Sequence, residues 1–263
     1  MTPLFVIKIG GNVIDHPEAL SAFLNDFASI PGPRILIHGG GKIATRLGEQ
    51  LGIAPNYVQG RRITDDATID LVTMVYGGLV NKQVVAALQA RDCNAIGLTG
   101  ADANCIPAVK RPVRAIDYGW VGDVEPARIN ISALRALLDA GLVPVMAPLT
   151  HDGEGHILNT NADTIASALA VALSAVYSVR LIYCFEKKGV LEDLHREDSV
   201  IPLINKANHA RLLEEGKLAD GIIPKIDNAF AAIDAGVKEV LIGDAADLRV
   251  NVTGAVSGTL IVP

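Results

Sequence analysis

The sequence is poor in the residues that mark the commonest specialised chemistries. Its three cysteines, Cys93, Cys105 and Cys184, are widely spaced with no CxxC pair. That excludes a disulfide framework and a cysteine-built zinc site, and it reads as reduced thiols in the cytoplasm. The six histidines are scattered and form no HExxH pair, so the zinc-hydrolase pattern is missing as well. Positive charge is in deficit: 23 Lys and Arg against 29 Asp and Glu leave a formal net charge of −6. A nucleic-acid surface needs a basic stripe, so that partner is excluded, and any anionic ligand has to be held by local lysines, arginines and backbone amides. Long apolar runs are also lacking. The longest uncharged stretch lies at 164–179, between Asp163 and Arg180, and is too short for a membrane span. Lys8 interrupts the first apolar run too early for a signal peptide. There is no internal repeat, low-complexity tract or Ser/Gly linker. The expectation is a cytoplasmic protein with neither a nucleic-acid nor a membrane partner.

What the chain does have is a compact composition, 50% hydrophobic and 20% charged over 263 residues, enough for a sizeable core. Apolar runs of strand length at 4–9, 34–38, 93–98, 142–147, 180–185, 238–242 and 258–262 alternate with segments of helical period near 17–29, 42–51, 66–90, 131–140, 161–176, 207–216 and 225–235. This alternation predicts an α/β fold, a mainly parallel open sheet with helices on both faces. Two stretches with Gly turns, 56–64 and 106–124, read as hairpins. Ligands of such sheets bind beyond the carboxyl ends of the strands, so these hairpins are expected to cover that edge. A change of character near residue 175 suggests two lobes, 1–175 and 176–263.

The carboxyl edge is legible in several motifs. The first strand, FVIKIGG, buries a lysine among β-branched residues and then turns on Gly10-Gly11. An unpaired ammonium there is costly, so either its tip reaches water or something negative waits at the strand end. The second strand ends His38-Gly39-Gly40-Gly41-Lys42 and opens a helix. Glycines at strand-to-helix turns serve either as plain tight turns or as cradles whose amides and helix start attract an anion. GGGKIA also satisfies a loose dinucleotide fingerprint, with Asp65 further on, but it follows the second strand and a hairpin intervenes. A Walker A loop is excluded, because Ile43 follows Lys42 and no glycine sits five residues before Gly41.

Further on, Asn159, Asn161 and Asp163 occupy alternate positions before an Ala-rich helix. One of them caps that helix on the simplest view; on an extended segment all three would face the ligand edge. Lys225 follows a proline at a helix start, where a cation is mildly unfavourable. Arg61-Arg62 follow a Gly turn and suit either a solvated hairpin tip or a bidentate carboxylate clamp.

Taken in order, KIGG, HGGGK, GRRIT, NTNADT and GIIPK resemble the amino acid kinase family, and most closely its acetylglutamate kinase branch. The likeness runs from residue 5 to the end of the chain. It implies a three-layer sandwich of carbamate kinase-like type and an ATP-dependent phosphotransferase with a carboxyl group as acceptor. The product would be an acyl phosphate of N-acetyl-L-glutamate in arginine biosynthesis. It further implies that Lys8 and Lys225 flank the transferring group, that Asp163 orients them, and that Gly10, Gly11 and Gly40 offer amides to the γ-phosphate. Gly40, Gly41, Arg62, Asn159 and Asn161 would border the acyl amino acid. Mg²⁺ would be carried by ATP, with no metal ligands on the protein. Residues 183–191 replace the family's acidic turn, leaving Glu186, Lys187 and Gly189 as candidate nucleotide contacts. The expected assembly is an arginine-insensitive homodimer, because the N-terminal helix of arginine-inhibited relatives is missing from the sequence. Two alternatives stay open: an N-succinyl-L-glutamate kinase, with Lys110, Arg111 and Arg114 welcoming the extra carboxylate, and a non-catalytic nucleotide or amino-acid sensor.

Overall fold

The computed structural model describes residues 1–58, 60–193, 196, 198–218 and 222–263. Gln59 of the first hairpin and Gly221 of the GIIPK motif lie outside them. The first half of the chain runs β1 (Pro3–Ile9), α1 (Gly11–Asp15), α2 (Pro17–Ala28), β2 (Arg34–His38), α3 (Gly41–Gln50), β3 (Tyr57–Val58), β4 (Arg61–Arg62), α4 (Asp66–Val72), a π-helical segment (Thr73–Val80), α5 (Asn81–Gln89), β5 (Ala95–Leu98), β6 (Ala108–Lys110) and β7 (Gly122–Val124). It continues with α6 (Ile131–Asp139), β8 (Val143–Met146), β9 (Leu149–His151), β10 (Ile157–Asn159), α7 (Ala162–Leu173), β11 (Ser178–Phe185), β12 (Leu203–Ile204), α8 (Lys206–Glu214), α9 (Ile223–Asp234), β13 (Glu239–Asp244), α10 (Leu248–Asn251) and β14 (Thr259–Ile261).

Among the described residues, eight strands form one sheet in the order β12-β14-β13-β11-β1-β2-β8-β5. Every pairing is parallel except β13 with β14. The central strands are buried on both faces, as parallel sheets require. Leu4 and Val6 of β1, with Ile35, Ile37 and Leu181, face a layer that includes Leu134 of α6, Leu169 of α7 and Ile226 of α9. Ile7, Ile9, Leu36 and Ile182 face Phe23 and Phe27 of α2 and the long helix from Asp66 to Gln89. The result is the expected α/β three-layer sandwich. The alanines of α7, Ala166, Ala168, Ala170 and Ala172, are all buried and let that helix lie close against β1 and β11.

The long helix is apolar and, at 24 residues, long enough to cross a membrane by length and composition. Its Leu71, Val72, Val75, Tyr76, Val80, Val84 and Leu88 are instead buried in the second core, which makes it a core helix. It is not α-helical throughout, because residues 73–80 form wider π turns around Gly77 and Gly78. A Cβ on Gly77 would lie 3.3 Å from Leu149 Cδ1, so the glycine lets the helix approach the hairpin below it.

Both expected hairpins are present, β3 with β4 and β6 with β7, each antiparallel. A third, β9 with β10, was not expected, since strands of three residues carry no readable alternation. The five-residue α1 escaped for the same reason. The strand expected at 93–98 begins only at Ala95, whose amide turns back onto the Cys93 carbonyl.

Candidate active site

β1 and β2 are hydrogen-bonded neighbours, so their glycine turns emerge side by side. A Cβ built on Gly39 would stand 3.5 Å from the Gly11 amide nitrogen, so the two turns abut. Gly40 caps α3 at φ +155°, and a Cβ there would meet the Tyr76 ring at 3.0 Å; no other residue fits. Beyond these turns start α1 and α3, and Gly10 and Gly40 hold the cap positions. One expectation needs correcting. The Gly10 amide donates to the Cys184 carbonyl at 3.3 Å, so it closes the sheet ladder and is not available to a phosphate.

The loop after β2 is braced from behind. His38 is fully buried, and burial pushes its ring down to about 4, so it is neutral. Nε2 faces Asn81 Nδ2 at 3.1 Å and Nδ1 faces the Gly39 carbonyl at 2.7 Å. An amide nitrogen only donates, so Nε2 accepts and Nδ1–H donates to Gly39. Asn81 Nδ2 also donates to the Val145 carbonyl at 2.9 Å. A Cβ on Gly97 would sit 1.9 Å from Asn81 Oδ1. Gly97→Ala therefore displaces Asn81 and breaks this brace, at a cost of about 1–3 kcal/mol, read as a fall of several degrees in Tm.

On the α7 and α9 side of the sheet, Lys8 Nζ lies 2.7 Å from Asp163 Oδ1. Lys8 shares its face of β1 with Leu4 and Val6 by strand alternation, and Asp163 stands in the first turn of α7. The opening puzzle of FVIKIGG is resolved in part by this ion pair. Asn161 is the cap of α7, accepting from the amides of Asp163 at 2.8 Å and Thr164 at 3.2 Å. The extended run from Asn159 to Asp163 therefore ends at Asn161, and the three polar side chains split into a hairpin residue, a cap and a first-turn acid. Lys225 stands in the first turn of α9. Burial lowers its pKa; Asp163 opposes that and Lys8 adds to it. Its Nζ lies 3.8 Å from the Phe185 ring centroid.

Two cavities open next to this group. The first, about 210 Å³, is lined by Gly40, Gly41, Arg62, Asn159 and Asn161, with Tyr57, Tyr76, Arg61, Arg111 and Thr164. Arg62 is buried, and its Nη2 donates to Thr45 Oγ1 at 2.8 Å, to the Gly41 carbonyl at 3.2 Å and to the Tyr57 hydroxyl. The guanidinium also lies over the Tyr57 ring, 4.8 Å from its centroid. Asn159 Nδ2 donates to Thr64 Oγ1 at 3.0 Å. Of the three extra cations proposed from sequence, only Arg111 lines this cavity, held by Asp123; Lys110 lies over Trp120.

The second cavity, about 240 Å³, is lined by Phe185, Glu186, Lys187, Gly189, Leu191, Ile222, Lys225 and Ile242. All three candidate nucleotide contacts thus meet Lys225 there. Gly189 has a packing reason as well, since a Cβ on it would lie 2.7 Å from Thr259 Oγ1. Ala162 and Thr164, which flank Asp163, line the first cavity, and Lys225 lines the largely apolar second, so the Lys8, Asp163 and Lys225 group adjoins both. Helix starts and two ammonium groups make that junction a place for an anion. Sequence reasoning missed Phe185, Tyr57, Tyr76, His38 and Asn81. His38 was in view as the residue before the glycines, but its partner lies 43 positions away.

A sequence model of the amino acid kinase family matches residues 3–244. The acetylglutamate kinase of Bacteroides fragilis is 58% identical over 239 residues, covering 91% of each chain. The N-acetylglutamate synthase of Neisseria gonorrhoeae, solved with coenzyme A and N-acetyl-glutamate, superposes with a TM-score of 0.80 at 26% identity. The match covers all of this chain but 59% of that longer one. The carbamate kinase of Giardia lamblia, solved with AMP-PNP, superposes at 0.70 and 14% identity over 99% of this chain and 98% of that one, a likeness of fold. With a family match over nearly its whole length and a kinase relative sharing more than half of its residues, the chain belongs to the amino acid kinase family.

Proposed function

We propose that the chain transfers the γ-phosphoryl group of ATP to the side-chain carboxylate of N-acetyl-L-glutamate, giving an acyl phosphate for arginine biosynthesis. The observation that carries this reading is the Lys8–Asp163 pair, with Lys225 beside it, next to two cavities of different character. The B. fragilis relative supports the acceptor. A carboxylate is already ionised at neutral pH, so the reaction needs no general base; it needs alignment and neutralised charge. Lys8 and Lys225 neutralise the transferring group and Asp163 orients Lys8. The amides of Gly11 and Gly40 face the phosphate, while Arg62 and Asn159 hold the acyl amino acid. MgATP is the phosphoryl donor, with Mg²⁺ carried on the nucleotide and adenosine in the cavity of Phe185 and Leu191.

The division of labour follows the chain. Residues 1–175 hold the acceptor, since residues 39–164 line the first cavity. Residues 176–263 hold the nucleotide, since residues 185–242 line the second. The enzyme works in the cytoplasm as a homodimer, for which exposed Met74 and Leu79 on the long helix offer an apolar face; light scattering is expected to give twice the chain mass.

Arg111 in the first cavity favours one second reading, N-succinyl-L-glutamate as acceptor. The test is MgATP-dependent acyl-phosphate formation trapped with hydroxylamine, run on N-acetyl-glutamate, N-succinyl-glutamate, glutamate, aspartate and UMP. Turnover of an acylated glutamate is expected. Silence on both acylated substrates would return the chain to the sensor reading.

A further inference from the structure

One aromatic ring is approached by two cations. Lys225 Nζ lies 3.8 Å and Lys8 Nζ 5.1 Å from the Phe185 centroid, both within the reach of a cation–π contact. Phe185 ends β11 and lines the second cavity. The β1–β11 register sets Lys8 opposite Tyr183, so Phe185, two residues on, projects from the same face just beyond it. Tyr183 stacks with the ring at 6.2 Å and 20°, and its hydroxyl donates to the Asp163 backbone carbonyl at 3.3 Å. The ring is thereby tied through Tyr183 to the residue whose carboxylate pairs with Lys8.

The choice of an aromatic side chain has a physical reason. Two ammonium groups brought to one place repel each other. A second carboxylate would hold them but would also repel an incoming phosphate. An aliphatic side chain would leave the repulsion unanswered. A ring face attracts both cations and carries no net charge.

We propose that Phe185 is a positioning residue for phosphoryl transfer, its ring drawing in both Lys225 and Lys8 while leaving both charges free for the transferring group. The inference rests on the reading of those lysines as the charge-neutralising groups. Among the described residues, the charged groups acting on Lys225 are Asp163 on α7, which favours its charged form, and Lys8 on β1, which opposes it, as burial does most. Glu186 and Lys187 follow Phe185 along the same cavity. On α9 itself Asp227 turns towards His209, at 3.9 Å.

The test is the pH profile of kcat/KM for ATP in the full-length enzyme and in Phe185→Leu, Phe185→Tyr and Lys225→Ala. Leucine keeps the site apolar but removes the negative ring face. The alkaline limb is then expected to fall by about half a pH unit and kcat by about five- to tenfold. KM for the acyl amino acid stays unchanged, and Phe185→Tyr restores the wild-type profile. A Phe185→Leu enzyme with wild-type limb and kcat would overturn the proposal and reduce Phe185 to packing. Should leucine fail to fold, a polyfluorinated phenylalanine at 185 keeps the ring's shape and abolishes its negative face; it is expected to behave as leucine would, and a wild-type profile would overturn the proposal equally. Undiminished turnover in Lys225→Ala would instead overturn the role of Lys225 itself, a distinguishable result.

Discussion

Lys8→Ala is expected to lower kcat for acyl-phosphate formation by about 10²–10³, with little change in the KM of the acyl amino acid. The side chain rises from the end of β1 and is held by Asp163 at 2.7 Å in a largely buried position. Its ammonium is therefore in place before substrate arrives and costs no reorganisation during reaction. The charge it meets grows as the phosphoryl group passes between donor and acceptor, so its loss falls on kcat more than on binding. Arginine does not rescue the variant, because a planar fork does not fit a point-charge site. Removing Lys8 also strips Asp163 of its ion-pair partner, so the melting curve is measured alongside; a folded variant with wild-type kcat would remove Lys8 from the mechanism.

Arg62→Ala is expected to raise the KM of the acyl amino acid by about 10²-fold and to leave kcat at saturation within a few-fold. One nitrogen of this guanidinium is anchored by Thr45, Gly41 and Tyr57, and the group lines the first cavity. A pre-anchored fork binds a carboxylate bidentately without losing side-chain freedom on binding. Arg62→Lys recovers little, since a lysine lacks the fork. Initial-rate kinetics with the acceptor varied at saturating MgATP reads the effect. An unchanged KM would assign Arg62 to holding the β3–β4 hairpin onto α3.

The sequence made the central strands legible because each is a short β-branched run bounded by glycine or charge, and a parallel sheet follows from their alternation with helices. Lys8 stood out because burial of a lone ammonium is costly. Arg62, Asn159, Asp163 and Lys225 stood out only as an ordered set, since each alone has an ordinary structural explanation. Asn161 shows the limit of that reasoning: it is the α7 cap and a cavity residue at once. The Gly10 amide could not be read either, because only the β1–β11 register reveals that it is spent on Cys184. Phe185 was hidden for the same reason. An aromatic at a strand end looks like core until the β1–β11 register brings Lys8, and the start of α9 brings Lys225, to its ring. The π segment leaves no periodic trace, yet it presents Tyr76 to Gly40 and leads directly into Asn81 behind His38.

The most direct measurement is a crystal structure with MgADP, aluminium fluoride and N-acetyl-glutamate, in which the fluoride complex marks the transferring phosphoryl group. The account places that group between Lys8 and Lys225, with adenosine in the cavity of Phe185 and Leu191 and the acceptor's α-carboxylate on Arg62. A complex bound out of hydrogen-bonding reach of both lysines, or an acceptor outside the Arg62 cavity, would contradict it.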